Sequence, residues 1–443
     1  MINYIREKNV NIFYILILIF FALIPYSVST MYQKILPVPT SVMISMIVSG
    51  SAVLFILFNK TAVKNMEFHH KVLLFFFYFP VLSATFSSFY NLSLLSSVEY
   101  VEYFKGSLTS RVVNYSIFFF IVYFIIQIRN TLTDNQIGAI IKTYVWSLLI
   151  MVIVGIWQLS YFLFDVPMFN LNTRSYVHSV SDDVLFNFRL TSFADEPSYL
   201  VPFMLDLIIL GSLVFASLKR YLLFVFVPAL TVLLFSFSVS GYANLALILF
   251  VFIALILLSN FKYKRKLLLG LLVIMGIGMT VVLIKSDVFI KFAQPVIGRL
   301  DTIFDIEHHS RMYMYVMPFV WIFDHSIISA VFGYGPGSYE FLSLTKILPN
   351  TAPVSTTSNN MFVDLIFEHG IFGFLFLLIF ITYYLFFLFK RRNINRYFFI
   401  ANILFIHLVI TSLYRGDFVT PRFWGLMIIL VLLVEMGNRL KEH

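Results

Sequence analysis

Cysteine is absent from all 443 residues. That excludes a disulfide framework, a thiolate metal site and a cysteine nucleophile, and it leaves the redox compartment unmarked. Charge is scarce as well: 12% of the residues are Asp, Glu, Lys or Arg, against 60% hydrophobic. With a mean hydropathy of +0.91, the chain does not read as the two or three soluble domains that its length alone suggests. No small-residue cleavage signature follows the first apolar run, and more apolar runs come at once, so that run is expected to be a retained helix.

What is abundant is apolar sequence of helical length. A segment needs about 20 largely apolar residues to cross roughly 30 Å of hydrocarbon. Twelve stretches qualify: 11–28, 41–58, 72–90, 112–128, 137–163, 199–218, 221–238, 242–258, 267–284, 371–389, 397–413 and 422–436. The whole chain, 1–443, therefore reads as a single integral membrane domain, an all-α polytopic fold of about 12 transmembrane helices. Lys and Arg are retained on the cytoplasmic side of a membrane. With the N-terminus inside, the cytoplasmic segments hold 19 basic against 5 acidic residues and the external segments 12 against 16, with Asp206 inside a helix. Opposite balances on the two sides predict that both termini are cytoplasmic. They also explain the net charge of +9 by topology, with no nucleic-acid partner expected.

Met312 to Phe332 is apolar enough for a further span, but Asp324-His325-Ser326 interrupts it and Pro318 removes a helical hydrogen bond. A span there would also turn Lys390-Arg391-Arg392 to the outside. Arg311–Phe323 is expected instead as a helix at the external interface or over a cavity, with Tyr313, Tyr315 and Trp321 at headgroup depth.

Two long polar interruptions, 165–198 and 285–370, then fall on the external face. The second is 86 residues long, too long for a mere connection. In the first, Arg189 precedes Asp195-Glu196, and Pro197 suits the first turn of the next helix. A carboxylate there is favoured by the helix dipole. Two readings are open: Arg189 clamps a phosphate while Glu196 accepts a proton, or the segment is a helix cap with an interfacial arginine. In the second, Arg299 and Arg311 flank Asp301, Asp305, Glu307, His308 and His309. Guanidinium forks suit phosphate oxygens, though those acids are equally available as partners. His308-His309 is weak as a metal site because adjacent residues seldom face one ion and no second cluster completes it. Further along lie Gly333-Tyr334-Gly335-Pro336-Gly337 and Thr356-Thr357-Ser358-Asn359-Asn360, leading to Glu368-His369-Gly370. Asp206 and His407 lie inside spans, where ionisable groups either line a wet cavity or bond to a neighbouring helix.

These pieces together resemble the bacterial O-antigen polymerase and O-antigen ligase superfamily, Wzy-type polymerases in particular. The resemblance covers roughly Arg189 to Gly373. It is carried by Arg189-x-x-Ser-Phe-x-Asp-Glu-Pro-Ser, by Ser240-Gly241 opening a helix, by Arg311 ahead of Val331-Phe-Gly-Tyr-Gly-Pro-Gly337, and by Ser358-Asn-Asn-x-x-x-Asp-x-x-x-Glu-x-Gly-Ile-Phe-Gly373. It implies a membrane glycosyltransferase of the GT-C type in the bacterial plasma (inner) membrane, working on its periplasmic or external side. The substrate implied is an undecaprenyl-pyrophosphate-linked oligosaccharide, with a polysaccharide chain-length regulator as a candidate partner. By that resemblance Arg189, Arg299 and Arg311 hold the pyrophosphate, and fixed cations can stabilise its departure without a metal. Neither a metal nor a cofactor is expected. The family often has His-Asn where this chain has Asn359-Asn360, and Asn is no general base. Ligases in particular lean on that histidine, so the substitution points to the polymerase, with Glu196, Glu368 and Asp195 as candidate catalytic carboxylates and His369 or His325 as outsiders. Asn359, Asn360, Tyr334 and Asp206 are expected to line the substrate cavity. Metal-dependent membrane glycosyltransferases resemble one another in placing acids in the first external loop, and Ser29–Thr40 has none. A ligase acting on lipid A-core and a transporter or flippase of lipid-linked sugar are the alternatives. The transporter would place its charges on discontinuous helices near the bilayer midplane.

Overall fold

The computed structural model describes residues 2–29, 40–59, 66–91, 101–169, 188–258, 310–324, 326–343 and 358–442, and every regular element among them is helical. The long helices are α1 (Ile2–Leu23, extended by a 3-10 turn Ile24–Val28), α2 (Thr40–Asn59), α3 (Phe68–Asn91), α4 (Val101–Thr131), α5 (Asp134–Phe164) and α6 (Pro197–Val214). α7 passes through Leu218–Tyr221, a π-helical turn Leu222–Phe226 and Val227–Leu234, and α8 is Val239–Leu257. Four short helices follow: α9 (Ser310–Val316), α10 (Pro318–Trp321), α11 (Ile327–Phe332) and α12 (Ser338–Leu342). The chain closes with α13 (Met361–Arg391), α14 (Arg396–Ser412) and α15 (Pro421–Glu442).

Seven described helices have the length and apolar content of a membrane span, and Ile12–Val28 and Arg396–Ser412 are shorter apolar helices. Each expected stretch within the described residues coincides with helix; 267–284 lies outside them. α15 is the central element. Of its apolar window 78% is buried, against 28% for α8 and 33% for α2, which turn most of their side chains outward. Outward residues such as Leu57, Ile153, Phe250 and Ile379 are apolar, as a surface facing lipid tails requires.

The bundle has two ends. The proximal end, where α1 starts and α15 finishes, is tied by the Arg439 guanidinium. It donates to Asp134 Oδ1 and to the Leu132 carbonyl, both at 2.8 Å. Asn395 Nδ2 donates to Gly437 O at 2.7 Å close by. α5 begins there with a capping box, the Gln136 amide N–H bonding the Thr133 hydroxyl while Gln136 Oε1 accepts from the Thr133 N–H. At the distal end the Asp195 N–H donates to Val28 O at 3.0 Å.

Two departures from the sequence expectation lie at the distal end. The interruption 285–370 does not remain loop up to Gly370: α13 starts at Met361, because Asn360 caps it by accepting from the Phe362 and Val363 N–H groups at 2.9 and 3.3 Å. Arg311–Phe323 is not one helix either. It breaks at Met317, where Pro318 opens α10. Trp321 is turned inward, into a small core with Met314, Ile322, Tyr334, Tyr339, Ile366 and Phe367, and not out to headgroup depth.

Candidate active site

Two glycines make the geometry of the distal end. Gly370 has φ 68° and ψ −172°, a break inside α13, and Gly333 has φ 78°; both lie where side chains are disfavoured. Their backbones meet. A Cβ on Gly333 would stand 2.3 Å from Glu368 O, and one on Gly370 2.3 Å from Val331 O. In that contact the Tyr334 N–H donates to Phe367 O at 3.0 Å and the Gly335 N–H to Glu368 O at 2.8 Å. The other side of the turn rests on α4. Gly337, with φ 77°, would drive a Cβ to 2.7 Å from the Ser107 carbonyl, and the Tyr103 hydroxyl donates to Pro336 O at 3.1 Å. Ser107 belongs to a π-helical turn, Phe104–Leu108, a local widening that often accompanies function. The Gly333–Gly337 turn is thus held between the break in α13 and the π-turn in α4.

The same two helices bring charge to this point. Glu368 is fully buried, and Arg111, just past the π-turn, places Nη2 3.8 Å from Glu368 Oε1. The Gly337 N–H is directed at the Glu368 carboxyl, and among the described residues no contact to either oxygen reaches full hydrogen-bond geometry. One turn earlier on α13, buried Asp364 accepts from the Ser358 hydroxyl at 2.7 Å and the Ser358 N–H at 3.4 Å. One turn after Arg111, the Tyr115 hydroxyl lies 3.4 Å from Nε2 of buried His369. Tyr339, packed edge-on against Phe367, has a buried hydroxyl with no partner among the described residues. Burial, and secondarily Asp364, pushes that hydroxyl above its ordinary pKa, so it stays a donor. The ensemble offers a carboxylate with open lone pairs, a guanidinium and hydroxyls in a place shielded from water. Such a set can accept a proton from, or orient, a hydroxyl substrate and stabilise developing negative charge.

Of the residues expected from sequence, Glu368, Tyr334, Asn359 and Asn360 lie on the segments that build this site. Asn360 caps α13, Asn359 takes a left-handed backbone at φ 55°, and the Tyr334 hydroxyl donates to Trp321 O at 2.9 Å. Glu196 is the N-cap residue of α6 with Pro197 after it, and its Oε2 accepts from the Ser198 hydroxyl at 3.3 Å. Arg189 is buried, and its Nε and Nη2 donate to the Ser236 and Phe237 carbonyls, both at 3.2 Å. Arg311 belongs to α9; Arg299, His308, His309 and His325 lie outside the described residues. Asp206 is deep in the bundle, bidentate to Arg422 at 2.8 Å for each contact. It also bonds to the Tyr144 hydroxyl at 2.8 Å and His407 Nε2 at 3.0 Å. Asn244 extends the network, with Oδ1 3.4 Å from His407 Nδ1 and Nδ2 donating to the Tyr414 hydroxyl at 2.7 Å.

The loop between α14 and α15 joins the Glu196 segment to the Glu368 segment. Arg415 is buried with its guanidinium 4.1 Å from the ring centroid of Tyr199, in the first turn of α6. Three residues on, Phe418 lies under the Arg111 guanidinium at 5.6 Å and 6.0 Å from the Tyr115 ring. Arg111, Tyr115, Arg415 and Arg422 were not singled out by sequence reasoning, whereas Asp364 is the Asp of the Ser358-to-Gly373 string that carried the resemblance. Arg111 precedes an apolar run and looks like an ordinary interfacial anchor; its only signal is that it is basic on the expected external side.

No curated protein and no solved structure matches the chain. Residues 224–378 match the protein-family model described as O-antigen ligase, a stretch that includes α11, the Gly333–Gly337 turn and the break at Gly370. Over that stretch, about a third of the chain, the protein is similar to the O-antigen polymerase and ligase superfamily.

Proposed function

We propose that the protein is an O-antigen polymerase, or a polymerase of a related surface polysaccharide. It would transfer the growing glycan from its undecaprenyl pyrophosphate to a sugar hydroxyl of the next lipid-linked repeat unit, on the periplasmic or external face of the plasma membrane. The observation that carries this reading is Glu368: a fully buried carboxylate 3.8 Å from the Arg111 guanidinium, at the break in α13. In the proposed step the acceptor hydroxyl oxygen bonds to the anomeric carbon as the bond from that carbon to pyrophosphate breaks. The lipid pyrophosphate leaves with the bonding pair, and the hydroxyl proton passes to Glu368. Arg111 pairs with Glu368 at rest and is proposed to stabilise the departing pyrophosphate, a role that the resemblance extends to Arg299 and Arg311. Arg189 is proposed to hold the Ser236–Phe237 turn in register for the same ligand, with Asp195 and Glu196 at the start of α6 orienting the acceptor. No metal ion is assigned to this step.

Asn359-Asn360 favours polymerase over ligase. One residue takes a left-handed backbone and the other caps α13, so a backbone role occupies both, and neither amide can act as a base. The ligase is kept as the second reading because the matching family model bears that description.

The test is reconstitution with the host's undecaprenyl-pyrophosphate repeat unit as sole substrate, wild type beside Glu368→Gln. A ladder of polymer from the wild type, absent from a folded Glu368→Gln, is expected. Transfer only after lipid A-core is added would replace the polymerase with the ligase, and a wild-type ladder from Glu368→Gln would remove Glu368 from the chemistry.

A further inference from the structure

At the proximal end of the bundle, away from Glu368, Glu67, His69 and His70 stand together at the start of α3, with ligand-capable atoms all within 4.8 Å of one another. The two imidazoles are 4% and 1% exposed, and their ring centroids are 4.0 Å apart. His69 Nε2 and both ring nitrogens of His70 have no hydrogen-bond partner among the described residues. Buried polar atoms are nearly always satisfied, and each neutral imidazole carries one lone-pair nitrogen, so two such rings beside a carboxylate offer three donors to a ligand that accepts lone pairs. We infer that Glu67, His69 and His70 form a binding site for one divalent ion of the Zn²⁺, Co²⁺ or Ni²⁺ class, independent of whatever reaction the distal end performs.

The donor set selects the ion. Imidazole nitrogen suits borderline transition ions, whereas Mg²⁺ and Ca²⁺ take oxygen ligands. Tetrahedral coordination at roughly 2.0–2.1 Å sets neighbouring donor atoms about 3.3 Å apart. His69 Nδ1 is already 3.5 Å from Glu67 Oε2, and one ligand atom from each of the three residues lies within 4.8 Å of the other two. Adjacent histidines face one point here because both lie in the first turn of α3, where His69 is clamped from α13. Its ring stacks on Phe387 at 4.5 Å and its carbonyl accepts from the Tyr384 hydroxyl at 2.9 Å. Three protein ligands leave a fourth position for water or an anion.

Neighbouring cations decide what the site needs. Arg129 Nη2 lies 3.8 Å from the other Glu67 oxygen, Oε1, while its Nε lies 3.3 Å from Glu435 Oε2; Arg391 sits over the Phe387 ring at 4.1 Å. Against two guanidinium groups an ion requires the Glu67 charge, so Glu67→Gln should weaken binding roughly tenfold or more.

The experiment titrates Co²⁺ into the full chain, purified without a histidine tag, in detergent. One equivalent is expected to bind, with the visible d–d bands of a nitrogen-ligated low-coordinate ion, and Zn²⁺ should displace it. Those bands should be lost in His70→Asn and should need roughly tenfold more Co²⁺ or beyond in Glu67→Gln, the latter altering a half-exposed residue that the core does not depend on, and should persist unchanged in a His308→Ala/His309→Ala double variant. Absence of saturable Co²⁺ binding by the wild type, unchanged binding in Glu67→Gln, or loss only in the His308/His309 variant would each overturn the assignment.

Discussion

Arg111 and Glu368 face each other at 3.8 Å, a separation that allows attraction without a hydrogen bond. A guanidinium offers a planar fork to phosphate and a carboxylate alike, whereas an ammonium is a point charge on a shorter reach. Arg111→Lys is therefore expected to slow transfer by about 10²-fold while the protein keeps its melting temperature, measured as initial rates of polymer formation in proteoliposomes. A full rate in Arg111→Lys would mean that charge alone suffices. At this scale the sequence was only partly legible. Glu368 sits in a recognisable Glu-x-Gly string, yet Arg111 carries no motif, and its partnership with Glu368 arises because a π-turn rotates α4 just before it. A one-residue widening of a helix leaves no compositional mark.

Two elements are set by contacts that side-chain chemistry cannot replace. Gly370→Ala must adopt φ 68° and push a methyl into the Val331 carbonyl, so a loss of roughly 1–3 kcal/mol from strain alone is expected, along with loss of transfer. Gly138→Ala is the control: its Cβ would meet nothing within 4 Å, and inside α5 the change should be stabilising by about 0.5–1 kcal/mol. Thermal unfolding in detergent distinguishes the two. The other element contact is the buried pair of Asp206 on α6 and Arg422 on α15. Arg422→Met strands a carboxylate in the bundle and should cost about 3–5 kcal/mol, part of which the double variant Asp206→Leu/Arg422→Met should restore; no recovery would show that Tyr144 and His407 need the carboxylate too. Asp206 and His407 were visible in the sequence as charges within spans. Their partner Arg422 was not, because it stands at the very start of an apolar run, where an arginine reads as an anchor.

At the scale of the molecule, the alternation of apolar runs was enough to predict the helices, since hydrophobic length is the property a bilayer imposes. What the runs do not encode is where a helix enters the wet end: α13 begins ten residues before its expected span, at Met361, because an asparagine cap and not hydropathy sets its start. Sidedness can be tested directly. A chain without cysteine gives no background labelling, so Leu413→Cys, 46% exposed at the distal end, should react with an impermeant maleimide on intact spheroplasts. Asn393→Cys, exposed at the proximal end, should react only after permeabilisation; the reverse pattern would invert the topology. The contact between Gly333 and Gly370 has one further consequence. It is built from main-chain atoms, so the residues around it are held to no particular identity. On the proposed function, side chains lining an acceptor pocket could be exchanged for others, and a different sugar accommodated, without moving Glu368. A scaffold of this kind separates the invariant part of a reaction from the variable part of its substrate, and swapping pocket residues between polymers is where that separation can be put to use.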